Sequence, residues 1–157
     1  MAARRVRLRR STTLRGVQRR SLNLAAAVAG WALPGLGHLL IGHVGRGLVL
    51  SVTIGTLWLG GLLIGGISVI DRRDHSAWFL GQMLVAPSLV VDRYHDNLRA
   101  RWQREVGSRA DLVPPYEPAF GKPQEQGTLY TALAGLLNLL AMLDVASREP
   151  LGAAGSA

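Results

Sequence analysis

Four charge-free stretches alternate with charged ones along this chain. The second runs unbroken over residues 47–70, 24 positions between Arg46 and Asp71. As a helix it extends about 36 Å, against a hydrocarbon core about 30 Å thick. A soluble helix needs a polar outer face, and this one has none to offer. The flanking stretches follow the same habit: 21–45 is uncharged, 76–91 is apolar and 127–143 is apolar again. The pattern predicts an all-α fold, a polytopic helical membrane bundle with four membrane-embedded helices at about 21–43, 47–70, 76–91 and 127–146. Residues 21–146 form its membrane domain, preceded by a basic arm (1–20) and followed by a disordered tail (147–157).

Prolines break the pattern twice. Pro34 removes a backbone donor within the first stretch, and Gly35 and Gly37 weaken the helix there. Two shapes fit: a kinked crossing, or a helix ending near Leu33 followed by a Gly-rich turn. The crossing is favoured, with residues 34–37 near the far surface. The third stretch has only 16 residues and contains Pro87. It sits at the lower edge of spanning length, with Pro87 as a bend point.

Charge placement constrains the topology. The arm carries eight Arg and no acid, and the first acidic residue of the chain is Asp71. Lys and Arg favour the cytoplasmic side, which places the N-terminus there. Four simple crossings would then put Arg46 and the cations of loop 92–126 outside, a poor asymmetry. Turning the third or the first stretch back on itself improves the bias, so charge argues against four crossings while hydropathy argues for them. The bacterial cytoplasmic membrane is the expected location. An Arg-rich, acid-free arm also fits a mitochondrial presequence, which makes the mitochondrial inner membrane the alternative.

Net charge is +8 and the pI near 11.4, yet no nucleic-acid reading module accompanies the arm, and no specific nucleic acid is expected. With no Cys, disulfides and thiolate metal sites are excluded. Asp71 and Asp74 with His75, and Asp92 and Asp96 with His95, are two separate clusters. A metal would need them joined in space, and neither a metal nor a cofactor is expected. No Ser/His or paired-Asp arrangement lies inside the apolar stretches, so the chain reads as no enzyme.

Small and polar residues within the apolar stretches are the candidate functional positions. Gly61 and Gly65 form a Gly-x-x-x-Gly pair, and Thr131 and Gly135 a similar patch on the last helix; such pairs let backbones approach closely in lipid. Asn138, mid-way along the last stretch, needs an interhelical partner, and Gln82 is the candidate. Asp144 marks the boundary of that stretch. In loop 92–126, Tyr94, Leu98, Trp102 and Val106 recur every four residues, with Arg93, Arg99, Arg101 and Arg104 around them. A helix over 92–106 would lie in the interface, its basic groups toward anionic headgroups. The reading is a small non-enzymatic membrane protein that associates with itself, as a homo-oligomer, or with a larger membrane complex through its Gly faces. The alternative is a channel- or transporter-like element with a polar path near Asn138 and Gln82.

The turn Pro34, Gly35, Gly37, His38, Gly42, followed by Gly47 at the head of a hydrophobic helix, resembles a motif of many small bacterial membrane proteins. It is similar to the two-transmembrane domain superfamily. The closing segment 127–144 resembles the last helix of an uncharacterised bacterial membrane family, a domain of unknown function that begins with the same turn. Leu39 and Leu40 stand where relatives often carry an aromatic pair, which leaves no aromatic role here. The resemblance implies a membrane fold and carries no activity.

Overall fold

The computed structural model describes residues 23–73, 76–106 and 121–148. The arm, most of the tail and the Pro-rich part of the loop lie outside them. The described residues are helical, with no strand among them. Helix α1 covers Asn23–Ala32, α2 Leu36–Leu40, α3 Val44–Gly65, α4 Ser76–Gln82, α5 Pro87–Val106 and α6 Lys122–Ser147, with one 3-10 turn at Ile67–Val69.

The last helix is the spine. α3 runs antiparallel along its whole length: Arg46 lies beside Asp144, while Gly65 faces Pro123 and Gly127 at the opposite end. Both helices are long and apolar enough to cross a membrane. Their approach is close because small residues meet. A methyl group on Gly61 would sit 2.7 Å from the Gly127 carbonyl and from Thr131 Cγ2. Without Cβ atoms the two backbones lie nearly in contact, maximising dispersion along the seam.

The first stretch does not continue across. Leu36 N caps back to the Leu33 carbonyl at 3.0 Å, and Gly35 adopts φ 84, a left-handed conformation that an L side chain resists. The chain therefore reverses. α2 returns along α1, with Gly37 so near Ala26 that a methyl would lie 2.5 Å from its carbonyl. The 34–37 turn lies beside Gly47 and Ser51 of α3, part-way along the α3/α6 pair, so the favoured single helix over 21–43 is replaced by two helices that double back. Its physical cause is the pair predicted to weaken the helix: Pro34 lacks the N–H and Gly35 supplies the turn.

The third stretch reverses too. α4 ends at Gln82, residues 83–86 form a turn, and Pro87 opens α5, where its missing donor is harmless. α4 climbs α6 from Phe79 toward Gly135, and α5 descends to Asp71. The result is two helical hairpins that enter from opposite ends of the α3/α6 pair. Their tips meet: Trp31 Nε1 donates to the Met83 carbonyl at 3.0 Å, and Ala86 N donates to the Trp31 carbonyl at 3.1 Å. Other bounds also move. α5 takes in the first half of the expected polar loop, and α6 starts at Lys122, where Pro123 favours the first turn. α3 stops at Gly65 and does not reach residue 70.

Candidate functional site

Polar side chains along α6 tie it to other elements in four tiers, while buried Thr128 bonds only back to the Gln124 carbonyl of its own helix. At the first, Gln124 Nε2 donates to the Ser68 carbonyl (3.1 Å) and Ser68 Oγ donates to Gln124 Oε1 (3.2 Å). At the second, Gln82 Nε2 donates to Thr131 Oγ1 and to the Val69 carbonyl, both at 2.8 Å. At the third, Asn138 Nδ2 donates to the carbonyls of Gly30 (3.1 Å) and Leu84 (2.9 Å). These two carbonyls belong to the two hairpin tips, where broken helices leave acceptors unpaired. Asn138 therefore joins both hairpins to the spine, and it is wholly buried. The expected Asn138–Gln82 pair is not formed. Each side chain satisfies backbone carbonyls on its own tier, because the tips expose acceptors that outcompete a distant amide.

The fourth tier gathers charge. His38 Nε2 donates to Asp144 Oδ2 at 2.9 Å; an ionised carboxylate only accepts, so the bond fixes the proton on that nitrogen. Arg148 Nε reaches the same oxygen at 2.6 Å, and Arg46 Nη1 stands off at 3.7 Å. The bond from Asp144 raises the affinity of the Arg148 guanidinium for its proton. Asp144 is thus more than a boundary residue: it binds the motif histidine, which is only 1% exposed, to the C-terminal end of α6. Asn23 Nδ2 completes this end by donating to the Arg148 carbonyl at 2.6 Å.

The small residues settle into the same frame. Gly61, Gly65 and Thr131 are buried at the α3/α6 seam, and Gly135 lies against the Gly81 carbonyl of α4. These faces are used within one chain, so self-association through Gly61 and Gly65 would have to separate α3 from α6. The outward glycines are others: at Gly45, Gly55 and Gly60 an added methyl meets nothing within 4 Å. Within the turn motif, Gly37 and His38 are buried, the Pro34 carbonyl accepts from Ser51 Oγ at 2.7 Å, and Gly42, with φ 90, leads into α3.

A second polar centre lies at the other end, where Asp71 meets the Asp92, His95 and Asp96 cluster; Asp74 and His75 lie outside the described residues. Arg99 Nη2 pairs with buried Asp71 at 2.8 Å. The Arg72 and Arg73 amides donate to Asp92 and Asp71 at 3.2 and 2.8 Å, and Arg73 Nε approaches Asp96 at 3.2 Å. His95 is buried beside Asp71, 3.8 Å away. Burial, and then the Arg99 charge, lower its pKa. Arginines occupy these carboxylates, and among the described residues no group of three His, Asp or Glu is disposed to hold a metal. Arg99 was expected to face headgroups. It turns inward instead, because Asp71 is a buried carboxylate needing a cation. Arg101 and Tyr94 remain exposed, and Leu98 and Trp102 are half-buried.

A family model described as a family of unknown function, DUF6677, matches residues 25–155. The chain belongs to that family. The DUF6677 match takes in the spine, the second hairpin, the first hairpin from residue 25 onward, and every tier residue but Asn23. No curated protein and no solved structure matches the chain. Within this DUF6677 chain the ties between elements that sequence reasoning missed are those of Asp144, Trp31 and the Asp71–Arg99 pair. One signal was available for the first: Asp144 is the carboxylate that closes the last apolar stretch at its C-terminal end, and the turn motif supplies a histidine in need of a partner.

Proposed function

We propose that this chain is a non-enzymatic integral membrane protein with four embedded segments, two crossing and two entering as half-depth hairpins from opposite faces. The reading rests on how α6 sorts its side chains. Its buried residues are Gly, Ala, Thr, Asn and Val, whereas Leu129, Leu133, Leu136, Leu140 and Leu143 point outward. α3 does the same: three of its four buried residues are glycine, and Leu63 is 86% exposed. Water would drive the leucines inward. Lipid gives no such preference and leaves close packing and interhelical hydrogen bonds to hold the helices. The broken backbone at the hairpin tips is acceptable at that depth because protein surrounds it.

The role is lateral association, with a second copy or within a larger membrane complex, through the outward small positions of α3 and the leucine row of α6. His38, Asp144, Gln82 and Asn138 are engaged in ties between helices, which favours a structural role over chemistry or a conduit. Hairpin topology puts the arm, Arg46 and Arg148 on one side and Arg72, Arg73 and the loop cations on the other. That balance removes most of the charge bias, so orientation rests on the arm, which precedes the first segment and places it in the cytoplasm. The compartment is the bacterial cytoplasmic membrane.

The absence of natural Cys makes the test direct. Single Gly45→Cys, Ser76→Cys and Lys122→Cys variants are labelled with a membrane-impermeant maleimide in sealed vesicles of both orientations. Gly45→Cys should react from one side, and the other two from the opposite side. Ser76→Cys and Lys122→Cys reacting from different sides would restore simple crossings. Recovery of the chain in a high-speed supernatant without detergent would overturn the membrane reading itself.

A further inference from the structure

An open groove of about 460 Å³ runs between α3 and α6 at the end where the chain reverses into α3. Val49, Leu50, Leu137, Leu140 and Ala141 line it, and Arg46 and Asp144 close its mouth. The volume lies within the range of about 300–1,000 Å³ typical of ligand clefts. Leu137 to Asp144 spans about 10 Å along the helix axis, the depth of the upper part of an acyl chain.

Charge at the mouth specifies what kind of molecule would fit. Asp144 already receives Arg148 at 2.6 Å and His38 at 2.9 Å. Arg46 is its third and loosest partner at 3.7 Å, with a side chain 59% exposed. Among the described residues one carboxylate therefore faces two arginines, and the more loosely held cation is the one on the rim of the apolar groove. We propose that this groove binds an anionic phospholipid, its phosphate on the Arg46 guanidinium and one acyl chain between Val49 and Leu140. The proposal rests on the membrane reading above and adds a specific lipid site to it. Arginine suits the role because its planar fork meets phosphate through two parallel hydrogen bonds.

The test uses the full chain in detergent, with native mass spectrometry reading lipid adducts that survive collisional activation. Dioleoyl phosphatidylglycerol is compared with dioleoyl phosphatidylcholine, which shares its chains. The wild type should retain phosphatidylglycerol preferentially. Arg46→Gln should lower that retention about tenfold, the value of one charge-assisted hydrogen bond, and Arg46→Lys should restore most of it. Val49→Trp, which fills the groove from its rim, should lower retention of both lipids. The basic arm attracts anionic lipid in every variant, so it cancels when Arg46→Gln is compared with the wild type, and that comparison carries the assignment to Arg46. Melting temperatures within 2–3 degrees of wild type, on the order expected for surface changes, establish that each variant is folded. Equal retention of the two lipids by the wild type, or no loss in Arg46→Gln, overturns the proposal. So does a Val49→Trp variant that binds both lipids as well as wild type, since charge alone would then suffice. A chain that needs detergent yet shows no lipid preference fails this proposal and leaves the membrane reading standing.

Discussion

Asn138 shows what a single amide does in this molecule. Its two amide hydrogens satisfy one carbonyl on each hairpin tip. Asn138→Leu should lower stability by about 1–2 kcal/mol, read as an earlier midpoint in a denaturation series in detergent; an unchanged midpoint would deny the residue its joining role. The glycines provide a sharper contrast. Gly135→Ala drives a methyl into the Gly81 carbonyl, a backbone atom that cannot rotate away, and should cost about 1–3 kcal/mol. Gly60→Ala meets open space and should be neutral or slightly stabilising, by up to about 1 kcal/mol from helix propensity. Equal effects at the two sites would mean that α4 does not approach α6 as closely as described. Sequence spacing marked Gly135 and Asn138 as positions that matter. It could not say what they touch, because their partners are backbone atoms, which no residue pattern encodes.

Helices were more legible than their directions. Hydropathy located the apolar cores of α3 and α6, and Pro34 and Pro87 marked where the other stretches break. Whether a broken stretch continues or turns back depends on contacts made far along the chain, such as Gly37 on Ala26 and Val145, so the first segment was misread as a crossing. α5 illustrates the same limit. Its stripe of Tyr94, Leu98 and Trp102 is plain in the sequence, but the face that anchors it carries Asp92, His95 and Arg99. Arg99→Gln leaves Asp71 buried without its closest cation and should destabilise by about 1–3 kcal/mol, below the full cost of a buried pair because Arg99 is partly solvated. Arg101→Gln, on the exposed side, should leave the melting temperature unchanged. His95 adds a pH dependence. Its lowered pKa means that the unfolded chain takes up a proton more readily than the folded one, so its contribution is complete above about pH 6.5. It is lost as the medium is acidified from that value through the folded pKa. Thermal midpoints between pH 7.5 and 5.5 should fall in the wild type and fall less in His95→Gln; parallel curves would show that the imidazole is not the group responsible.

The molecule as a whole is organised around its last helix. α1, α2, α3 and α4 all rest on α6, and its small residues and amides form the inner surface that each of them meets. Inward-facing Gly, Ala and Asn with outward leucines invert the arrangement of a water-soluble bundle, and that inversion was only half visible beforehand. Composition showed a Gly-rich apolar chain, but not that the glycines would be sorted to one side of each long helix. A chain ending after residue 121 keeps both hairpins and α3 yet loses everything they lean on. It should fail to accumulate and be cleared by proteolysis when expressed beside the full-length chain; a stable, protease-resistant product would show that the hairpins hold one another without α6.

The order of synthesis gives this dependence a further meaning. A ribosome delivers α1 and α2 well before the helix that receives them, which begins more than eighty residues after the 34–37 turn is complete. Until then the first hairpin has carbonyls at its tip and no Asn138 amide to quiet them, so its maturation must wait until α6 emerges. An aid that shelters the waiting hairpin during that interval would matter more to this chain than to one whose helices each find their partner as they emerge.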